Sequence, residues 1–255
     1  MPFPLIAAHR GGAGLWPENS LTAFRNAIRL PVDLIEFDVH RSKDGLLVVH
    51  HDATLDRTTD GEGALADKTW DELCSVTVKG TDGEPLPLLD ELIALIKPTG
   101  IDLRLEFKCR ADGSRYPGLE AEVIAELRAA DMLRRTIFTS FEWDTLEKAL
   151  SLASVRGAIA LMRKDVIAEP DDYAAALALV QAKALPEIAL PAALMTADRL
   201  AQARDMGLRA SAFGINDEEL IAAAFDLGAT AFTTDRPDLA LAERDKRVCE
   251  EKMLS

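Results

Sequence analysis

LIEFDVHRSKDGLLVVHHD, residues 34–52, reads as a strand, a tight turn and a returning strand. Side chains alternate along a strand, so Glu36 and Asp38 share one face of the first arm. Asp44-Gly45 is a strong two-residue hairpin signal, because glycine accepts the positive φ that such turns require. With 44 and 45 as the turn, 43 faces 46 and 38 faces 51, which sets His51 beside Asp38. The two arms have different fates. Leu34–Asp38 fits a series of parallel strands, whereas the returning arm 46–50 follows too closely to be a parallel neighbour, which needs a longer crossover. That arm is expected as an antiparallel flap over the mouth of whatever the other strands build.

Outward from this hairpin, strand-like runs and helical patterns alternate. Leu5–Ala8 is a short apolar run ending in His9-Arg10-Gly11-Gly12. It is followed by LTAFRNAIRL, whose apolar residues at 21, 24, 27 and 28 have helical spacing, with Asn19 or Ser20 as N-cap. Beyond residue 100 the strand-like runs are Asp102–Phe107, Thr136–Thr139, Ala158–Met162, Glu187–Leu190, Arg209–Ile215 and Ala229–Thr233. Helical patterns over 117–130, 142–152, 171–183, 194–205 and 217–226 lie between or after them. Strand–helix alternation indicates a parallel sheet, and eight units in 255 residues indicate an α/β fold of the closed (β/α)8 TIM-barrel kind. Residues 53–98 differ in character: Gly, Asp and Pro punctuate them, with short helices near 69–74 and 89–97. They are expected as a small insertion over the C-terminal mouth of one domain spanning 1–255. Trp70 is read as the cover of a small core there, and the final residues as a terminal helix or loose tail.

A hydrophobic content of 48% and a charged content of 28% suit a globular protein with a sizeable core. The formal net charge of −14 argues against a nucleic-acid-binding surface, although a few local cations and a metal can still dominate a pocket. Three widely spaced cysteines, Cys74, Cys109 and Cys249, suit a reducing compartment and lack zinc-site spacing. The N-terminus lacks the pattern of a signal peptide, and no apolar run approaches the roughly 20 residues of a membrane helix. The expected location is the cytoplasm, without membrane association.

Polar residues gather where strands end. His9 and Arg10 follow the first strand, Glu36 and Asp38 lie on the second, and Glu106 and Lys108 on the third. The pattern L-R-L-E-F-K places Arg104, Glu106 and Lys108 on one face, pointing into the barrel, where three charges are costly unless paired or metal-bound. Glu36, Asp38 and Glu106 offer oxygen ligands only, which suits one hard divalent ion, Mg²⁺ or Ca²⁺, rather than zinc. His9 and His51 would flank it, with ordinary pKa values suited to proton transfer near neutrality. With Arg10 and Lys108 as fixed cations, this is the equipment of phosphoryl transfer. Two blander readings stand beside it: Arg10 and Glu18 as a structural ion pair at the rim, and Glu106 and Lys108 neutralising each other without a metal. His40 is placed on the flap and His50 in solvent as the outward neighbour of His51, neither with a role.

Taken together, AHRGGAGLWPENSLTAF, EFDV with KDGLLVVHHDATLDRTTDG, LRLEFK and GATAFTTDRPD resemble the glycerophosphodiester phosphodiesterase family, in order and from residue 5 to about 240. The resemblance implies a (β/α)8 barrel of lipid and glycerol metabolism. Its reaction releases glycerol 3-phosphate from a small phosphodiester of an alcohol such as choline, ethanolamine or glycerol. Position by position it implies His9 and His51 as the acid–base pair, and Glu36, Asp38 and Glu106 as ligands of Ca²⁺ or Mg²⁺. Arg10 and Lys108 would contact the phosphate, and Glu18 of the P-E-N motif would lie near the site. Where many relatives have a tryptophan followed by Thr-Val-Asn on the seventh strand, this chain has Phe213-Gly214-Ile215-Asn216. Phe213 can still pack on a glycerol or sugar face of the pocket, and the change bears on the leaving alcohol rather than the reaction class. The alternatives are hydrolysis of a lysophospholipid or sugar phosphodiester on the same scaffold, and a non-catalytic barrel that binds phosphorylated ligands. Monomer and homodimer are equally compatible with the sequence.

Overall fold

The apolar runs become strands in the computed structural model, which describes residues 3–254. They are β1 (Leu5–Ala8), β2 (Leu34–Arg41), its antiparallel partner β3 (Leu47–Val49), β4 (Asp102–Phe107), β5 (Thr136–Ser140), β6 (Gly157–Leu161), β7 (Glu187–Pro191), β8 (Arg209–Phe213) and β9 (Ala231–Thr234). Apart from β3, each strand pairs in parallel with its neighbours, and β1 pairs with both β9 and β2. The eight parallel strands therefore close into a barrel, as the alternation predicts, and β3 hangs from β2 outside the ring.

The helices are α1 (Leu21–Ala27), α2 (Trp70–Leu73), α3 (Leu89–Ile96), α4 (Leu119–Ala129), α5 (Trp143–Leu152), α6 (Pro170–Ala182), α7 (Ala197–Asp205), α8 (Glu218–Asp226) and α9 (Pro237–Leu254). Their starts follow local chemistry. The Ser20 hydroxyl accepts from the Ala23 amide at 3.0 Å and Asp217 accepts from the Leu220 amide at 2.8 Å, each satisfying a donor that the first helical turn leaves unpaired. Residues Pro237–Leu254 form helix α9, anchored where Arg244 Nη1 donates to Asp33 Oδ2 at 2.9 Å; Ser255 lies outside the described residues.

Strand alternation divides the core in two. Leu103, Leu105 and Phe107 of β4 point outward and join the large cluster between barrel and helices, with Ile35, Phe37, Phe138, Val123 and Leu146. Inside the barrel lie Ala7, Leu34, Ile137, Ile159, Leu161 and Ala189. A third small core, Val48, Leu55, Leu65, Leu73, Val78 and Leu86, underlies the insertion, and Trp70 packs against it as the sequence reading expects. α3 differs from the rest of residues 53–98. Its Leu89, Leu92, Ile93 and Ile96 are part of the main core, so it serves as a barrel helix between β2 and β4.

The hairpin register departs by one residue from the expectation. Val39 stands opposite Val49, His40 opposite Val48 and Arg41 opposite Leu47. The loop is Lys43-Asp44-Gly45, closed by the Ser42 amide on the Leu46 carbonyl at 2.9 Å, with Gly45 supplying the positive φ of 99°. Asp44 is drawn to the loop apex because its carboxylate accepts from the Ser42 hydroxyl and from the Trp70 amide at the start of α2. It is therefore His50, not His51, whose amide reaches the Asp38 carbonyl, at 3.1 Å. β3 ends at Val49, and a bend over residues 51–53 carries His51 to the barrel mouth.

Candidate active site

The first loop is built to turn back on itself. Arg10, Gly11 and Gly12 have φ of 50°, 81° and 95°, the left-handed region in which glycine is at ease and arginine is not. A Cβ on Gly11 would lie 2.9 Å from that of Ala23, so the turn sits hard against α1. The Arg10 conformation is held in part by its amide, which donates to Glu36 Oε2 at 2.9 Å. His9 Nδ1 lies 2.6 Å from Asp235 Oδ1, just after β9, and Asn216 Nδ2 donates to the other oxygen of Asp235 at 2.6 Å. An ionised carboxylate only accepts, so Nδ1 carries the proton and the lone pair or second proton of His9 is at Nε2. That atom is 3.9 Å from Glu36 Oε2.

Three buried carboxylates converge beside it. β2 and β4 are in register so that Asp38 is next to Glu106, with Glu36 two residues below on the same face. Glu36, Asp38 and Glu106 each present an oxygen within 4.8 Å of the others. Asn19, with φ of 52° immediately before the α1 cap, donates its amide to Asp38 Oδ2 at 2.9 Å. Lys108 Nζ lies 2.8 Å from Glu106 Oε1 and 3.2 Å from Asp38 Oδ1, and Arg10 Nε lies 3.4 Å from Asp38 Oδ2. Burial pushes the Asp38 carboxyl up, but Lys108, His51, Arg10 and the Asn19 amide outweigh it and hold Asp38 well below the usual carboxylate range. Glu36 fares oppositely: burial, then the Asp38 charge, push it up to about 7. The cluster is thus short of positive charge at Glu36. An all-oxygen donor set with uncompensated negative charge fits a hard divalent cation, with Glu36, Asp38 and Glu106 as its holders.

His51 Nδ1 lies 2.5 Å from Asp52 Oδ1, so it too is oriented by a carboxylate with Nε2 left free. Arg57 clamps Asp52 through Nε at 2.7 Å, and its other nitrogens reach Glu18 at 2.7 and 2.8 Å. Burial lowers the His51 pKa, and Lys108 and Arg10 assist against the opposing charge of Asp38. Burial also acts to lower His9, but Glu36 and Asp235 overcome it and raise that ring. The two imidazoles are tuned in opposite directions.

His40 and His50 are not the solvated flap residues expected from the sequence; both are buried. His40 shares a face of β2 with Glu36 and Asp38 and is covered by the Tyr116 ring, and His50 Nε2 is taken by the Thr54 carbonyl at 3.1 Å. His40 Nε2 pairs with the His51 carbonyl at 3.1 Å and Nδ1 with the Tyr116 hydroxyl at 2.9 Å. Burial pushes its pKa down to about 3, so it is neutral and supports the His51 backbone. Replacing His40 by leucine strands both partners, and the expected loss of stability is ~1–3 kcal/mol in urea unfolding. An unchanged midpoint would show that these contacts carry no weight.

Two cavities open at the mouth. One of about 200 Å³ is lined by His9, Arg10, Glu36, His51, Glu106 and Phe213, among others. The second, about 390 Å³, shares His51, Glu106 and Phe141 with the first and adds Lys108, Ser140 and Arg163. Every expected site residue except Glu18 lines one of the cavities or belongs to the carboxylate cluster. Glu18, expected in the substrate pocket, lines neither cavity; its carboxylate is occupied by Arg10 and Arg57 and so fastens the first loop to the insertion. Phe213 lines the smaller cavity edge-on to Phe141, with ring centroids 5.8 Å apart. Sequence reasoning missed Asp235, Asn216, Asn19 and Arg57 as supports, although Asp235 falls just past the end of the eighth strand, where such a residue is worth suspecting.

Fold and site define a (β/α)8-barrel enzyme with a carboxylate cluster and paired histidines at the C-terminal mouth. The sequence model described as "Glycerophosphoryl diester phosphodiesterase family" matches residues 9–239, and the chain belongs to that family of phosphoric diester hydrolases. It is 31% identical over 247 residues to a glycerophosphodiester phosphodiesterase of Bacillus altitudinis, covering 94% of this chain and 98% of the relative. A crystal structure from Agrobacterium tumefaciens bearing the same family name superposes with a TM-score of 0.94 at 32% identity, over 97% of this chain and all of that one. An Oleispira antarctica phosphodiesterase, 27% identical with a TM-score of 0.79 over 95% of this chain and 97% of its own, was solved with its product sn-glycerol 3-phosphate.

Proposed function

We propose that this chain hydrolyses glycerophosphodiesters to glycerol 3-phosphate and an alcohol, using a divalent metal and histidine acid–base catalysis. The observation that carries the reading is the convergence of three buried carboxylates with two histidines, each histidine backed by its own carboxylate. The product seen in the Oleispira protein supports the glycerol phosphate class of substrate. Glu36, Asp38 and Glu106 would hold Mg²⁺ or Ca²⁺, which when bound neutralises charge on the phosphate and strengthens its electrophilic phosphorus. Arg10 and Lys108, now on the carboxylates, are the cations positioned to take phosphate oxygens.

His51, held below the ordinary imidazole value, accepts the proton of the attacking oxygen at Nε2. His9, held above it, donates its Nε2 proton to the leaving alkoxide. One P–O bond forms as the other breaks, and Asp52 and Asp235 keep the rings aligned through Nδ1. The test is release of glycerol 3-phosphate from glycerophosphocholine in the presence of Mg²⁺ or Ca²⁺. Release that EDTA stops is expected; EDTA-insensitive or absent turnover of any diester would overturn the reading.

The role assignment has its own test in the pH profile of kcat/KM. The acidic limb belongs to His51 and the alkaline limb to His9, since the base must be neutral and the acid protonated. Asp235→Asn removes an anion that raises His9, so the alkaline limb is expected to move to lower pH. The acidic limb should stay in place. Movement of the acidic limb instead would reverse the roles.

A further inference from the structure

One side chain in the barrel interior has no use in the chemistry above. Arg104 lies on β4 two residues before Glu106, between Glu36 of β2 and Ile137 of β5. It is only 1% exposed, among the largest fully buried side chains. The interior around it is otherwise furnished with Ala7, Leu34, Ile137, Ile159 and Leu161. Its Nε and Nη1 have no hydrogen-bond partner among the described residues. A buried guanidinium with unmade hydrogen bonds is costly, and the cost is offset where something else accepts them. The side chain lines the 200 Å³ cavity, together with His9, His51, Thr139, Phe213 and Thr233.

The surroundings say what kind of acceptor fits. Glu36, Glu187 and Glu106 lie close enough to act on the Arg104 charge, so a further anion at that spot would meet carboxylates on several sides. A neutral group rich in oxygen lone pairs escapes that repulsion and still accepts from two N–H groups. Phe213, Leu161 and Phe141 supply apolar walls against which carbon–hydrogen faces can pack, and Thr139 and Thr233 share the lining, with the Thr139 hydroxyl donating to the Leu105 carbonyl at 3.2 Å. The combination of guanidinium donors and apolar walls matches a short polyol chain.

We infer that Arg104 is a specificity-determining residue that binds the neutral vicinal hydroxyls of the substrate's glycerol arm from the cavity floor. This rests on the diesterase reading above and adds to it which arm the small cavity selects and by what contact. Arg104 reads the far end of the arm, while His9, Arg10 and the carboxylate cluster act at the phosphate. Phe213 faces the carbon chain between them.

The test compares competitive inhibition of the Mg²⁺-loaded enzyme by three phosphate monoesters: sn-glycerol 3-phosphate, n-propyl phosphate without hydroxyls, and 3-phosphoglycerate, which keeps the middle hydroxyl and carries a carboxylate in place of the terminal one. The wild-type protein is expected to bind glycerol 3-phosphate at least about tenfold tighter than propyl phosphate, the discrimination typical of a charged hydrogen bond to a hydroxyl. Arg104→Met should bring that ratio close to one, raising KM for glycerophosphocholine more than it lowers kcat, and Arg104→Lys should restore part of it. Equal losses for all three ligands, with weaker Mg²⁺ binding in calorimetry, would make Arg104 a mere counterion of the carboxylates and overturn the inference. Tightest binding of 3-phosphoglycerate, lost in Arg104→Met, would overturn it in favour of an anion site. If Arg104→Met does not fold, Arg104→Lys carries the comparison, and an unchanged preference for the diol in that variant would overturn the inference. A protein that hydrolyses glycerophosphocholine yet shows no preference for the diol sinks the inference only, whereas absence of both turnover and binding sinks the diesterase reading with it.

Discussion

His51→Ala is expected to lower kcat for glycerophosphocholine by at least ~10²-fold, and His9→Ala by a similar factor, with the fold preserved in both. Neither imidazole is a core group. Both stand at the ends of the strands or beyond, about a quarter exposed, on loops whose backbones are held by other residues. The His9 loop is fixed by the amide of Arg10 on Glu36 and by the packing of Gly11 on Ala23. The His51 backbone is fixed by His40 and by the bend after β3. Truncation of either ring therefore removes a proton carrier without opening the barrel. The effects of the two substitutions should also fail to add, because a base without its acid partner gives little catalysis. Circular dichroism and thermal unfolding check the fold, and steady-state kinetics check the loss. Near-wild-type turnover in either variant would place the acid–base chemistry elsewhere.

Glu36 carries the second large effect, because in the carboxylate cluster burial and the Asp38 charge outweigh the cations that act on it. Its pKa in the metal-free protein, pushed up to about 7 by burial and then by Asp38, lies above the ordinary glutamate value of 4.5. A raised pKa means that the folded protein favours the protonated form. The resulting stability is fully present below the unfolded value and is lost as pH rises through the folded one. Metal-free protein should therefore lose stability between about pH 4.5 and 8, by ~3 kcal/mol from this group, and Glu36→Gln should flatten that part of the curve. Added Mg²⁺ or Ca²⁺ should restore the wild-type protein most strongly at the alkaline end, where the ligand is ionised, and do far less for Glu36→Gln. Turnover by Glu36→Gln is expected to be lost at every pH. A metal-free melting curve with the same pH dependence in both proteins would show that Glu36 is not the group left short of charge.

These expectations place the net charge of −14 in perspective. An acidic surface is compatible with an anionic substrate because the mouth concentrates Arg10, Lys108 and, below them, Arg104 around the carboxylates. The local balance at the site, and not the global sum, governs what binds there. Lys108 is the clearest instance. It neutralises Glu106 and Asp38 in the metal-free protein, as one of the blander sequence readings holds, yet it lines the larger cavity beside them. A cation that replaced it on those oxygens would free it toward a phosphate.

Most of the barrel was readable because its determinants are local. Buried parallel strands must be short apolar runs, each crossover needs a helix of predictable spacing, and β4 shows its two faces in the letters L-R-L-E-F-K. The same period-two logic put Glu36, Asp38 and Glu106 on inward faces, and the structure brings their oxygens within 4.8 Å. The turn of the hairpin was not readable to the residue. Asp44-Gly45 permits a two-residue or a three-residue loop, and the choice fell to Ser42 and to the Trp70 amide, which comes from a segment 26 positions away. The supports of the histidines were hidden for the same reason. Asp235 is 226 residues from His9, and Asn19 is 19 from Asp38, so no sequence period links them. The sequence by itself determined which side chains face into the barrel and which chemistry they can carry. Only the tertiary structure decided how His51 reaches Asp38, which carboxylate orients each imidazole, and that Arg104 lines the smaller cavity with its Nε and Nη1 unpaired among the described residues. Those outcomes depend on contacts closed by the whole ring of strands, where distance in space bears no relation to distance along the chain.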